Sequence, residues 1–335
     1  MTNPGEESGS RSRGKMTGPG ALTSSSTGWR CSHDPCNTCG YRSLSSLGWW
    51  RMVNPVIIIG MHRSGTSMVS RALDDLGLFT GRRKQRDNES LFFLDLNNWL
   101  MLQCGGSWDH PQPTRELLQH GQARSLAADY IRFLMRTPRL TGFLGWRNYL
   151  RYRKIGNLDF PWGWKDPRNT YTLPLWLDIF PDARIIHIYR HGVDVANSLY
   201  IREQARFSGR SHPVRHPYKR LLYVVRPKKG GFADSLRCAA LEGGFSLWEE
   251  YVGVARSHVR KLGDRALELK YEDFLADPHA ALLRLTTFCG LAADPAGIDA
   301  AASLVTKSRA YAYRNRPELE EFSLRASARL KVYGY

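Results

Sequence analysis

One short segment constrains this chain more than any other: Ile57-Ile58-Ile59-Gly60-Met61-His62-Arg63-Ser64-Gly65-Thr66-Ser67. It runs from an apolar, β-branched stretch through a glycine-bracketed turn into a helical pattern, in which Met68, Val69, Ala72, Leu73 and Leu76 share one face and Gly77 closes it. Glycines let successive backbone N–H groups converge, and the helix N-terminus adds partial positive charge, so the turn has the make-up of a phosphate cradle. Hydroxyls and a cation accompany the glycines, which sets it apart from an ordinary tight turn. The spacing from Gly60 to Gly65 equals that of the Walker A loop, but Thr66 stands where the triphosphate-binding lysine belongs and Arg63 lies inside the loop. The loop can hold a phosphate without that lysine's grip on β- and γ-phosphates.

Beyond Asn54 short apolar runs alternate with amphipathic stretches, the rhythm of βαβ units around a mostly parallel sheet. Strands are expected at Val56–Ile59, Arg184–Tyr189 and Ala266–Leu269, and further helices at Asp194–Glu203, Ser235–Val259 and Pro278–Gly290. The fold class is α/β: three layers, a central mostly parallel sheet flanked by helices, like the P-loop nucleoside triphosphate hydrolases. Residues 1–53 are rich in Gly, Ser, Thr and Arg with little apolar periodicity, and read as a disordered tail preceding a domain at 54–335. Met52 is an alternative start. Cys31, His33, Cys36 and Cys39 have a spacing that could hold zinc, but no second ligand pair follows before the domain.

The net charge of +17 points to an anionic partner without choosing among nucleic acid, nucleotide and membrane surface. The longest clean apolar run, Val56–Ile59, is far short of the ~20 residues that span a bilayer. Six cysteines, three of them bunched, make no disulfide framework and fit a reducing, cytoplasmic setting.

A second strand, Arg184–Tyr189, ends in Arg190 rather than in the Asp that organises magnesium in P-loop nucleotidases. Arg190, with Asp194 and Ser198 on the next helix, brings a bidentate cation and a hydroxyl toward the same crevice, a pairing suited to a separate phosphate. Together, Gly60-Met61-His62-Arg63-Ser64-Gly65-Thr66-Ser67 and Arg190-His191-Gly192-Val193-Asp194-Val195-Ala196-Asn197-Ser198 resemble the two nucleotide motifs of the sulfotransferase family. Lys165-Asp166-Pro167, Tyr271-Glu272-Asp273-Phe274 and Asp277-Pro278 are similar landmarks, so the resemblance extends over roughly 54–291. His191-Gly192 departs from the Asn-Pro or Asp-Pro of many members.

The resemblance implies 3′-phosphoadenosine 5′-phosphosulfate (PAPS) as donor, with no metal required. It implies that His62, Arg63, Ser64, Gly65, Thr66 and Ser67 form the phosphosulfate loop and that Arg190 and Ser198 hold the 3′-phosphate. Sulfuryl transfer needs in-line positioning, removal of a proton from the nucleophile and stabilisation of charge on the leaving bridge oxygen. Arg63 and Lys165 are the cations near that bridge. Trp162 and Trp164 around Lys165 suggest a partly buried strand end. Three residues compete as the base: Glu89 first, His110 as the rival, Asp95 if the alignment slips by a turn.

A basic segment at about 205–234, with Arg206, Arg210, Arg215, Lys219, Arg220, Arg226, Lys228 and Lys229, reads either as a lid or as a solvated loop. Arg314, Arg316 and Arg325 are cations that end loops could bring to the nucleotide. The acceptor is a hydroxyl or amine on a carbohydrate, lipid or small metabolite. Two alternatives stand beside this reading: a P-loop kinase or nucleotidase, and a non-catalytic nucleic-acid-binding protein, which would need a recognition module or basic-aromatic platform that the sequence does not display.

Overall fold

Alternating side chains of the first strand divide the molecule into layers. In β1 (Val56–Ile59), Ile57 and Ile59 belong to one apolar cluster and Val56 and Ile58 to another. All four residues are buried, as a strand covered on both faces requires. β1 is followed by α1 (Thr66–Asp75), then by a helical run of α2 (Leu91–Leu102), α3 (Gln112–Gln119), α4 (Gly121–Leu134) and α5 (Thr141–Tyr152). β2 (Gly163–Lys165), α6 (Asn169–Ile179), β3 (Arg184–Tyr189) and α7 (Gly192–Phe207) complete the centre. After α8 (Pro217–Val225) come α9 (Leu241–Leu262), β4 (Ala266–Lys270), α10 (Tyr271–Ala276), α11 (Pro278–Cys289), α12 (Pro295–Ser303), α13 (Pro317–Arg325) and α14 (Ser327–Val332). The computed structural model describes residues 53–208, 217–225 and 233–335. The tail, its Cys31, His33, Cys36 and Cys39 spacing, and Arg210, Arg215, Arg226, Lys228 and Lys229 lie outside the described residues.

The sheet is all parallel, in the order β2-β1-β3-β4. The three expected strands form, and β2 joins them as a short fourth at the Trp164-Lys165 strand end. The helix expected from Ser235 begins later. Glu203 draws in the Asp234 and Ser235 amides, a 3₁₀ turn occupies Arg237–Ala239, and Ala240 is extended before α9 starts. α11 ends where expected, on Gly290 in the left-handed region at φ 68°.

On one face of the sheet, Ile57, Ile59 and Ile185 pack against residues of α2 to α6. Its centre is aromatic: the Phe93 ring stacks on Trp164 at 3.9 Å with 5° between planes, and Trp176 meets both edge-on. Buried Asn97 on α2 donates to Asp166 (2.8 Å) and Asn169 (2.8 Å) and accepts from Thr172 and Trp176, so the helical layer is fixed to the β2–α6 connection by satisfied polar groups. On the other face Val56, Ile58, Ile186, Ile188, Leu267 and Leu269 pack with α1, α10, α11 and α12. A third cluster joins α7 and α9 to the C-terminal helices.

That junction runs through His191, the departure noted at the second motif. Its ring stacks on Tyr313 (4.4 Å, 14°) and meets Tyr335 edge-on, and its backbone N–H donates to buried Glu272 (2.9 Å). Burial, aided by Arg314, Lys270 and Arg190, pushes the imidazole pKa down to about 3. An unfolded histidine titrates near 6.5, so between that pH and about 3 the unfolded chain binds a proton that the folded chain refuses. The stabilisation is complete above the unfolded pKa and lost as pH falls. We expect the drop in urea stability from pH 7 to pH 5 to shrink by about 2 kcal/mol in His191→Phe.

Candidate active site

All four strands end in one place. The loop after β1, Lys165 at the end of β2, Arg190 after β3 and Tyr271 after β4 line a single cavity of about 360 Å³. β2 and β3 lie on opposite sides of β1, so the cavity sits at the carboxyl ends where strand order reverses, the usual ligand crevice of open α/β sheets.

The loop is held by backbone geometry that its sequence permits. Gly60 has φ 137°, and a Cβ there would lie 2.2 Å from the Ile188 carbonyl oxygen; its N–H donates to Thr170 Oγ1 (3.1 Å). Gly65 has φ 89° and a Cβ there would meet the Tyr271 ring at 2.2 Å. Arg63 adopts φ 70° without being glycine, an uncommon conformation that aims its guanidinium across the cavity, where Nε donates to Ser198 Oγ at 2.8 Å. The two sequence motifs therefore touch directly.

At the opposite wall Lys165 is 2% exposed and its ammonium donates to Glu89 Oε1 and to the Asp87 carbonyl, each at 2.9 Å. Glu89 Oε2 accepts from Gln85 and has the Arg168 guanidinium 3.8 Å away. Burial raises the Glu89 pKa, against the opposing pull of Lys165. A short antiparallel ladder presents this carboxylate: Lys84 pairs with Ser90, the Gln85 amide donates to the Glu89 carbonyl, and the Leu91 amide donates to the Arg83 carbonyl. At the third wall Arg190 donates to Asp194 (2.9 Å) and to the Arg309 carbonyl (2.7 Å) while its guanidinium lies over Tyr271. Asp194 is spent on structure, accepting from the Ala312 and Tyr313 amides.

Of the residues singled out in the sequence, His62, Arg63, Gly65, Thr66, Ser67, Glu89, Lys165, Arg190 and Ser198 line this cavity; Ser64 is buried within the loop. His62 meets Trp108 at 4.8 Å, and burial with Arg168, Arg202, Lys165 and Arg63 nearby holds its pKa well below the ordinary value. His110 is exposed on the Ser107–His110 turn and is not brought to the cavity, because that turn closes on its own Ser107 hydroxyl and carbonyl. Asp95 is exposed on α2 and lines a different cavity. Arg314 lies over Tyr311 and Arg325 pairs with Glu321 instead of reaching this site, and Arg206 pairs with Asp234. Sequence reasoning missed Arg202, Arg309 and Arg71 in the lining. Arg202 lies one helical turn beyond Ser198, a spacing that could have revealed it. Arg309 carried no such signal.

A glycine-bracketed loop, an arginine after β3 and a buried Lys–Glu pair meet at the strand ends of a P-loop-like α/β fold, with no carboxylate at the end of β3. The model of the Sulfotransferase family matches residues 55–295, and the chain belongs to that family. It is a sulfotransferase, an enzyme of sulfuryl transfer; neither the nucleotidase nor the nucleic-acid-binding alternative finds support. No curated protein matches the chain by sequence. Among solved structures it is similar to the sulfotransferase domain from the Synechococcus PCC 7002 olefin synthase, with 18% identity, 76% of this chain and 79% of that one covered and a TM-score of 0.41. It is also similar to the sulfotransferase domain from the curacin biosynthetic pathway (14%, 83% and 98%, 0.44) and to a sulfotransferase from Alicyclobacillus acidocaldarius (14%, 84% and 95%, 0.42). No described helix is long and apolar enough to cross a membrane.

Removing one member of a buried ion pair leaves the other uncompensated. Lys165→Met should therefore cost roughly 3 kcal/mol in urea unfolding, and Lys165→Met/Glu89→Gln should recover most of it.

Proposed function

We propose that the cavity binds PAPS and passes its sulfuryl group to a hydroxyl or amine of the acceptor by in-line displacement, within a catalytic domain spanning 54–335. The observation that carries this reading is the convergence in one cavity of the Gly60–Ser67 loop, the Arg190 site and the Lys165–Glu89 pair. Two buried donors fit a doubly anionic ligand: Ser64 Oγ and Arg190 Nε have no hydrogen-bond partner among the described residues. Cys104, Cys238 and Cys289 are free thiols, in keeping with a reducing, cytoplasmic setting.

The loop amides, with Arg63, Thr66 and Ser67, hold the phosphosulfate, and Arg190 and Ser198 hold the 3′-phosphate, joined by Arg309. The acceptor oxygen or nitrogen attacks sulfur while the bond from sulfur to the bridge oxygen breaks. The bridge oxygen leaves as part of a phosphate whose added charge falls to Lys165 and Arg63. The acceptor proton passes to Glu89. Transfer of the Lys165 ammonium from Glu89 toward the bridge oxygen would strip the carboxylate of its counter-charge and raise its proton affinity as the leaving group is engaged, coupling the two halves of the reaction. His110 and Asp95 lie outside this cavity, which supports Glu89 as the base.

Calorimetry with adenosine 3′,5′-bisphosphate (PAP) tests the donor assignment. Arg190→Ala should lose about 2–5 kcal/mol of PAP affinity. Unchanged affinity would remove the assignment. Glu89→Gln should abolish turnover while PAP affinity is retained, which separates loss of chemistry from loss of binding.

A further inference from the structure

A second cavity, of about 330 Å³, lies between α2, α4 and the start of α5, and shares no lining residue with the first. Its apolar wall is formed by Phe92, Leu134 and the Trp99–Tyr130 ring pair, whose centroids are 4.5 Å apart. The rim carries Arg83 and Arg139, both exposed, together with Asp95. Neither arginine side chain has a hydrogen-bond or ion-pair partner among the described residues, in contrast to Arg124 and Arg132 on the same layer, which hold Asp178 and Asp129.

This cavity has a structural tie to the catalytic carboxylate. Arg83 and Leu91, which line it, are partners on the ladder that presents Glu89 to the first cavity. A single extended residue, Ser90, separates Leu91 from Glu89, a Cα span of about 7 Å.

We propose that this second cavity is a subsite for the part of the acceptor remote from the group that is sulfated, and that it takes a ring with an apolar face carrying an anionic substituent. The aromatic pair offers a face for the ring, Arg83 and Arg139 offer unspent guanidinium donors for the anion, and Asp95 accepts from a ring hydroxyl. The shared chemistry admits two sources, an aryl carboxylate and a uronic-acid sugar. The assignment of the ligand as acceptor rests on the donor-site reading above.

Two probes separate the sources: 2-naphthoate and a uronic-acid disaccharide, each titrated calorimetrically into the full chain with PAP present, beside neutral 2-naphthamide and a neutral disaccharide. At least one anion should bind more tightly than its neutral counterpart, with affinity falling tenfold or more in Trp99→Leu and in Arg139→Gln. The latter replaces an exposed side chain, so it reports even if loss of Trp99 perturbs folding. PAP affinity should be the same in both variants. Normal PAP binding with no binding of either anion, or anion binding unaltered in both variants, overturns the subsite. Failure of the unsubstituted chain to bind PAP overturns the donor-site reading, a separate result read in the same instrument.

Discussion

A charged lysine buried to 2% exposure needs a carboxylate, and the contact between Lys165 and Glu89 meets that need at the point where the helical layer joins the sheet. Lys165 is the last residue of β2; Glu89 stands on a ladder that leads into α2. Their pairing fixes the ladder against the strand end. Immediately beyond it, Asn97 fastens α2 to Asp166 and Asn169, and Phe93 lies flat on Trp164. The same polar contact is thus enclosed by packing on one side and opens to the anion loop on the other. In the proposed chemistry the pair is held ready and its partner is exchanged during the reaction.

Much of the first cavity's lining was legible because its determinants are local. A β-branched run, two glycines at fixed spacing and an amphipathic stretch specify strand, turn and helix without reference to distant residues, and Arg190 with Ser198 repeats that logic at β3. The Trp-flanked Lys165 was legible as a strand end, although only the paired sheet shows it wholly enclosed. What the sequence did not disclose depends on long-range packing. The α3–α5 layer has no strong punctuating motif, and its helices are buried by packing against α2 and α6. Arg309 reaches the cavity because Asp194 gathers amides 118 and 119 residues away, a closure that no spacing rule encodes. Asp95 was a candidate base only if the alignment slipped by a turn from Glu89, and the structure places the two in different cavities.

The two cavities lie on different parts of the architecture. Strand ends, locked in a parallel sheet and by glycines with no room for a side chain, carry the groups proposed to hold the donor. Helices packed on one face carry the walls of the other cavity. Residues on the outward surfaces of α2 and α4 can change with little disturbance of the sheet, whereas a Cβ at Gly60 or Gly65 collides at once with Ile188 or Tyr271.

The first cavity, proposed to take the donor, is lined by six cationic side chains, Arg63, Arg71, Lys165, Arg190, Arg202 and Arg309, against the acids Asp87 and Glu89. An excess of this kind does not distinguish the cargo from what remains after it has left: a nucleotide stripped of its sulfuryl group still presents phosphates to the same guanidinium groups. On the proposed donor assignment, ions that compete for those groups weaken the hold on donor and spent nucleotide alike.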